Sequence, residues 1–308
     1  MTSYLIKRVL SGLFTIWLTT IAVTLLIHLV PGDPVQIMYA QSQSTTPEQL
    51  EQVRHNLGLD RPIYEQYFIY MSRVLRGDFG TTIRGNQPIL SLLLVRLPNT
   101  LLLAISSLFI TMLVGVTAGF IAAYKRGTWL DAGLMTGAIV GISIPSFWLG
   151  LVLIYVFSVQ LGWFPVSGTN LRNLFLPALT LGLANAASVS RLTRSSMIEV
   201  LSQDYIRTAR AKGLAEKFVL MRHALRNSLI NVVNMLGLQF TYMMGGAIVV
   251  ENVFAWNGVG RFAIQSILQR DYPTIQGFIL IFAIVVVGVS IVLDVLYAWI
   301  DPRINYDS

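Results

Sequence analysis

The apolar positions of this chain come in long runs, without the two-residue alternation of a half-buried strand. Val9 to Val30 is interrupted mainly by Thr, Ser and His28, and at about 1.5 Å per residue it is long enough to cross a bilayer. Lys7 and Arg8 precede it, and Pro31-Gly-Asp-Pro34 follows with helix-stop and turn chemistry. The apolar part is too long for a signal peptide and no small-x-small site follows, so an uncleaved first span is expected. Further runs place spans at about Pro98–Tyr124, Ala132–Val159 with a kink at Pro145, Leu176–Arg191, Ser228–Val250 and Pro273–Ile300. Gly115 and Gly119, and likewise Gly133, Gly137 and Gly141, are spaced by four, which lets helices approach closely.

Two polar intervals break this pattern. Residues 31–97 are too long for a linker and lack low-complexity bias, so a small folded subdomain outside the membrane is expected. Within it TTPEQLEQVRHNLGLDRP reads as an amphipathic helix, capped by Thr46 ahead of Pro47. The second interval, Asp204 to Asn227, holds Arg207, Arg210, Lys212, Lys217, Arg222 and Arg226 among the small residues Ala209, Ala211 and Ala215. Asp204 is expected to cap a short helix, Gly213 to end it, and Leu214 onward to start another. The domain reading is residues 1–30 for the N-terminal segment and first span, 31–97 for the external subdomain, and 98–308 for the core, with 192–227 as its polar inner region.

Composition agrees. Of 308 residues 54% are hydrophobic and 12% charged, about half the charged fraction of a soluble domain. A net charge of +7 would point to nucleic acid in a soluble protein, but here it is explained by basic loops on one side of a membrane. With the N-terminus inside, Lys7, Arg8, Lys125, Arg126, Arg191, Arg194, the six cations of the central interval and Arg303 share the cytoplasmic face. The short outer loops hold Arg172, Arg261 and Arg270. The fold class expected is an all-α polytopic membrane protein with six transmembrane helices and both termini cytoplasmic. The basic region then lies inside, between spans four and five.

The motifs of membrane enzymes are missing. The sequence has no cysteine, no HExxH pair and no GxSxG elbow. His28, His55 and His223 fall in separate segments, where ordinary hydrogen bonding is expected. Asp294 is the one carboxylate well inside an expected span, which leaves an intramembrane hydrolase without a nucleophile–base pair and an ion-coupled secondary carrier without its usual ionisable site. None of the four lysines lies in a phosphate-binding GK[ST] context. Uphill transport would therefore need energy from another subunit. Basic loops also serve topology and touch anionic headgroups, but small residues arranged for close approach are not required for lipid contact.

The stretch TRSSMIEVLSQDYIRTARAKGLAEKFVLMRHALRN resembles the cytoplasmic signature of binding-protein-dependent importer permeases, in the version of the dipeptide, oligopeptide and nickel group. PGDP at 31–34, LGLDRP at 57–62, GDFG at 77–80, LPALTLG at 176–182, ENVFAWNGVGR at 251–261, RDYPTIQG at 270–277 and the terminal DPRI extend the resemblance along nearly the whole chain. By resemblance Thr208-Ala209-Arg210 fills the signature's acidic-Ala-Ala slot, Gly213 is its glycine, and Arg207, Thr208, Ala209, Arg210, Ala211, Lys212, Gly213, Leu214 and Ala215 form a coupling helix seated on an ATPase. The sequence departs at Asn231, where the family usually has proline, and in its short loop between spans three and four.

The resemblance implies a homologous second permease, two ATPase subunits that carry ATP and Mg, and a periplasmic or lipid-anchored substrate-binding protein. It implies no cofactor in this chain, no nucleic-acid partner, and residence in the bacterial cytoplasmic membrane. The function implied is alternating-access import of peptides or related small solutes. Asn185, Ser188, Asn231, Asn234, Gln239, Thr241 and Met243 are polar or soft enough to line a tolerant path; the amides also suit helix–helix hydrogen bonding, and methionine suits packing. Peptides, glutathione-like thiols, nickel chelates and opine-type compounds all remain open as cargo.

Overall fold

Without water, every backbone N–H and C=O in the hydrocarbon layer must bond within its own segment, so long apolar runs become helices. The computed structural model describes residues 2–29, 48, 51, 52, 55, 60–83, 85–168 and 170–300. The turn expected at 31–34, the helix start expected at Thr46 and the terminal DPRI lie outside them. Among the described residues the helices run in order α1 (Thr2–Leu29), α2 (Ile63–Val74), α3 (Ile89–Tyr124), α4 (Trp129–Ser143), α5 (Ser146–Gln160), α6 (Leu171–Leu201), α7 (Asp204–Ala211), α8 (Glu216–Val253), α9 (Val259–Leu268) and α10 (Tyr272–Ile300). Among the described residues the one β-type pairing is an isolated bridge between Thr81 and Pro88.

Five of these helices, α1, α3, α6, α8 and α10, are long and apolar enough to cross a membrane, and the pair α4–α5 makes a sixth if taken as one span. That pair corrects the expected third span. Its two halves meet at 103° instead of running through a kink. Proline excludes the preceding residue from the α region, and here both Ile144 (ψ 121) and Pro145 (ψ 134) are extended. Pro98 and Pro177, expected to open their spans, lie inside α3 and α6. The second half of the basic interval and the fifth span are one element, α8, whose residues Val219–Leu225 are π-helical.

The described residues divide into two compact units: those up to Pro98 with Arg261–Val292, and Asn99–Gly260 with 293–300. In the first, Gly12 of α1 leaves room for Val287 of α10, to whose Cγ1 an added Cβ would come within 2.6 Å. Tyr67 of α2 meets Thr20 of α1, hydroxyl to hydroxyl, at 3.0 Å. Asp271 caps α10, accepting the Thr274 N–H at 3.2 Å, while its other oxygen accepts the Ile83 N–H at 3.1 Å. The Arg96 guanidinium lies 4.4 Å over the Phe262 ring.

The second unit is built on α3 and α6. A Cβ on Gly115 would stand 2.8 Å from the Ala186 carbonyl oxygen, and one on Gly119 would collide with the Ser190 carbonyl and come 2.6 Å from Thr193 Cβ. Gly182 answers from α6: its Cβ would be 2.8 Å from Ile110, and its carbonyl accepts the Thr111 hydroxyl at 2.9 Å. Leu103, Leu176, Leu181, Met243, Val250 and Trp256 form the main apolar core, and Val189, Val232 and Leu236 join α6 to α8. The glycines of α4 behave differently. An added Cβ on Gly133 or Gly137 meets nothing within 4 Å; both border an apolar cavity of about 350 Å³ that Ala186, Ala187 and Ser190 of α6 also line.

Gly119→Leu is expected to abolish the folded, detergent-extracted chain. Gly133→Ala is expected to leave its melting temperature unchanged or raise it, the helix-propensity gain being about 1 kcal/mol. Size-exclusion profiles and thermal melts of the two variants decide.

Candidate functional site

The basic interval folds into a knob by local chemistry. Gln203, not Asp204, is the N-cap of α7, without a side-chain cap bond. Asp204 enters the first turn instead, where its charge complements the helix dipole, and it lies 3.8 Å from Arg207 Nη1. The other end is a Schellman closure: the Gly213 N–H donates to the Arg210 carbonyl at 2.9 Å and the Leu214 N–H to the Ala209 carbonyl at 3.4 Å, with Gly213 at φ +75. The expected glycine stop is therefore present in the role given to it. Across the turn, Arg210 donates from Nε (3.1 Å) and Nη2 (2.7 Å) to the two oxygens of Glu216, a bidentate pair joining α7 to α8. Asn227 adds a bond from its amide nitrogen to the Tyr205 hydroxyl at 2.9 Å.

The knob stands on an apolar seat. Ile206 is fully buried and Ala209 nearly so, packed with Ala123 of α3, Met197 of α6 and Val219, Leu220 and Ala224 of α8. Of the nine residues given to the coupling helix, Ala209 thus faces inward as an anchor. Arg207, Thr208, Arg210, Ala211, Lys212, Gly213, Leu214 and Ala215 are exposed. The exposed surface is mixed, since Tyr205, Leu214, Phe218 and Met221 are uncovered beside the cations.

A second tie joins α4 to α6. Arg194 of α6 donates from Nε to Asp131 Oδ1 at 2.6 Å and from Nη2 to Oδ2 at 2.8 Å; Asp131 is 5% exposed. Oδ2 also accepts the Gly127 N–H at 3.0 Å. Sequence reasoning counted Arg194 only as a topological charge and passed over Asp131. The signal was there: Thr128-x-x-Asp131 before an apolar run is a capping-box pattern. Its acid reaches back to Gly127, while the Thr128 hydroxyl turns to the Lys125 carbonyl at 2.6 Å.

The residues offered as a path divide by burial. Asn231 and Asn234 are exposed on α8, one and two turns beyond the knob, and Asn231 donates to Ser196 Oγ at 3.4 Å. Asn185, Ser188, Gln239 and Thr241 are half-buried, and the Asn185 amide bonds the Leu181 carbonyl of its own helix at 2.8 Å. Met243 is 1% exposed and belongs to the apolar core, with its neighbour Met244 equally covered. Asp294 is half-buried and engaged with another group.

At the far end of α8, sequence reasoning took Glu251–Tyr272 as a loop. It contains α9 and a buried carboxylate. Glu251 is fully covered and accepts the Thr100 hydroxyl at 2.5 Å; Thr100 in turn accepts the Val259 N–H at 2.9 Å. A side chain on Gly258 would collide with that carboxylate, so the glycine is what lets the backbone pass. Trp256, 2% exposed, donates from Nε1 to the Asn99 carbonyl at 3.0 Å.

Helices long and apolar enough to cross a membrane five or six times define a multi-pass membrane protein. Residues 115–306 match the family model for the inner membrane component of binding-protein-dependent transport systems, and residues 1–104 match the model for the N-terminal part of that component. The chain belongs to this family, and is a non-catalytic permease subunit of a binding-protein-dependent ABC importer in the inner membrane. It is 45% identical over 307 residues, 99% of its length and 100% of theirs, to the glutathione transport system permease protein GsiC of Escherichia coli strain K12 and of Shigella dysenteriae serotype 1 (strain Sd197). Among solved structures, the inward-facing MetNI methionine ABC transporter in its native crystal form shares the fold at TM-score 0.60 and 18% identity, over 68% of this chain and 96% of that one. An amino acid ABC transporter with histidines does so at 0.54 and 19%, over 68% and 94%.

Removing Arg194 leaves the buried Asp131 carboxylate unpartnered, at a cost of about 3 kcal/mol, whereas removing Asp131 leaves the half-buried Arg194 without its partner at a smaller cost. In a double-mutant cycle by chemical denaturation, Asp131→Leu and Arg194→Leu are each expected to destabilise more than the two together. Additive losses would show that the pair contributes nothing as a pair.

Proposed function

We propose that the knob is the coupling surface on which an ATPase subunit pushes, with both termini and α7 on the cytoplasmic side. The observation that carries this reading is the knob's construction. Its shape is fixed by the Gly213 closure, the Arg210–Glu216 pair and the Ile206 seat, yet its outer surface mixes cations with uncovered Tyr205, Leu214, Phe218 and Met221. Lipid headgroups would be served by the cations alone. A rigid, mixed surface fits a protein groove, because force passes only through an element that does not yield.

The assembly proposed is this chain with a homologous second permease, two ATPase subunits binding ATP and Mg, and a substrate-binding protein. The extramembrane parts of residues 31–97 and of 251–272 face that last partner. Closure of the ATPase dimer draws the knobs together and opens the bundle outward; hydrolysis returns it. The path follows the exposed face of α8 at Asn231 and Asn234, with the half-buried Asn185, Ser188, Gln239 and Thr241 bordering it, while Met243 serves packing. The cargo proposed is glutathione or a short peptide, by the 45% identity to glutathione permeases.

Reconstituted with its partners, the complex is expected to hydrolyse ATP faster when the loaded binding protein is added. Gly213→Glu is expected to remove that stimulation and import while leaving the ATPases' basal rate. Normal import by Gly213→Glu would overturn the coupling role, and transport by the isolated chain under an ion gradient would make it a secondary carrier.

A further inference from the structure

We infer that α2 is not part of a water-exposed subdomain but an interfacial helix, lying in the membrane leaflet at the C-terminal end of α1 and presenting an apolar stripe to lipid. Depth is the first observation. Counted from Val9, where the apolar run begins, Thr20 is about 16 Å along α1, and Leu29 is about 14 Å further. A hydrocarbon layer is about 30 Å thick, so Thr20 sits near its middle. The Tyr67 hydroxyl is 3.0 Å from the Thr20 hydroxyl, and Thr20 is 1% exposed. A tyrosine hydroxyl lies little more than one helical turn from its own backbone, so α2 is held several ångströms inside the apolar boundary, the depth at which interfacial helices lie.

The pattern of α2 is the second observation. At about 100° per residue, Tyr64, Phe68, Met71 and Leu75 fall within roughly 60° of arc. Tyr64, Phe68 and Leu75 are 63%, 67% and 81% exposed, with no cover from the described residues. Tyr67 is about 40° further round on the same side, and its hydroxyl bond to Thr20 sets the stripe beside α1. Glu65, Gln66, Arg73 and Arg76 lie on the opposite side, with Ile69 among them. Aromatic and aliphatic residues below, and arginines able to reach phosphate above, suit the boundary between acyl chains and headgroups. In water the same stripe would leave three large apolar side chains uncovered on a single helix.

The sequence has no cysteine, so single cysteines report without background. Phe68→Cys and Tyr64→Cys on the stripe, and Arg73→Cys on the polar side, are each spin-labelled in the full chain, assembled with its partners in lipid nanodiscs. Collision with dissolved oxygen and with a water-soluble nickel chelate is then read by electron paramagnetic resonance. The oxygen-to-nickel ratio is expected to be severalfold higher at 68 and 64 than at 73. A ratio at 68 and 64 equal to that at 73 overturns the inference in favour of water. Little collision with either reagent also overturns it, in favour of a covering protein. Should labelling at 68 disrupt assembly, position 64 gives the same reading alone.

Discussion

The second unit depends on how closely α3 and α6 approach. Inside a bilayer, burying apolar surface against apolar surface gains nothing over burying it in lipid, so helices associate through close packing and interhelical hydrogen bonds. Gly115 and Gly119 on one helix and Gly182 on the other remove the side chains that would hold the axes apart, and Thr111 bonds directly to the carbonyl so exposed. The apolar cores above and below draw on residues from these two helices, at Leu103 and Leu176 in one and Ala123 and Met197 in the other. Separate α3 from α6 by the width of a methyl group, and both cores lose their common wall.

Against that wall the knob is a small structure with outsized constraint. A helix of only eight residues has little stability of its own, and α7 is held by its surroundings: a left-handed glycine, a bidentate ion pair and one fully buried isoleucine. The ion pair is about half exposed and contributes at most about 1 kcal/mol; its value is geometric, since two parallel hydrogen bonds fix orientation. The pair of buried Asp131 with half-buried Arg194 does the same for the first turn of α4.

How much of this was legible follows from range. Local grammar was readable: the long apolar runs, the glycine stop at 213 and, had it been used, the Thr128–Asp131 box. Magnitudes were not. Pro145 signalled a kink, yet nothing local distinguishes a modest bend from 103°. Prolines 98 and 177 looked like helix starts, because the pattern does not say whether neighbouring helices will tolerate the missing bond. Equal spacing hid unequal roles: Gly119 meets a helix and Gly133 meets open space. The contact of Thr100 with Glu251, 151 positions apart, belongs to tertiary packing, which a single sequence does not encode in any window. The pattern read for the permease family nonetheless identified it, since its motifs are short and strung along nearly the whole length.

The π-helical segment of α8, Val219–Leu225, lies between α7 and the face that carries Asn231 and Asn234. Each π turn takes up one residue more than an α turn. The segment therefore works as a phase shifter, setting the azimuth at which the amide face stands relative to α7. Were it to relax to α geometry, everything beyond it would rotate about the helix axis with no covalent change. An inserted or deleted residue there would leave both ends folded and misalign them, as a slipped tooth leaves two sound gears out of time.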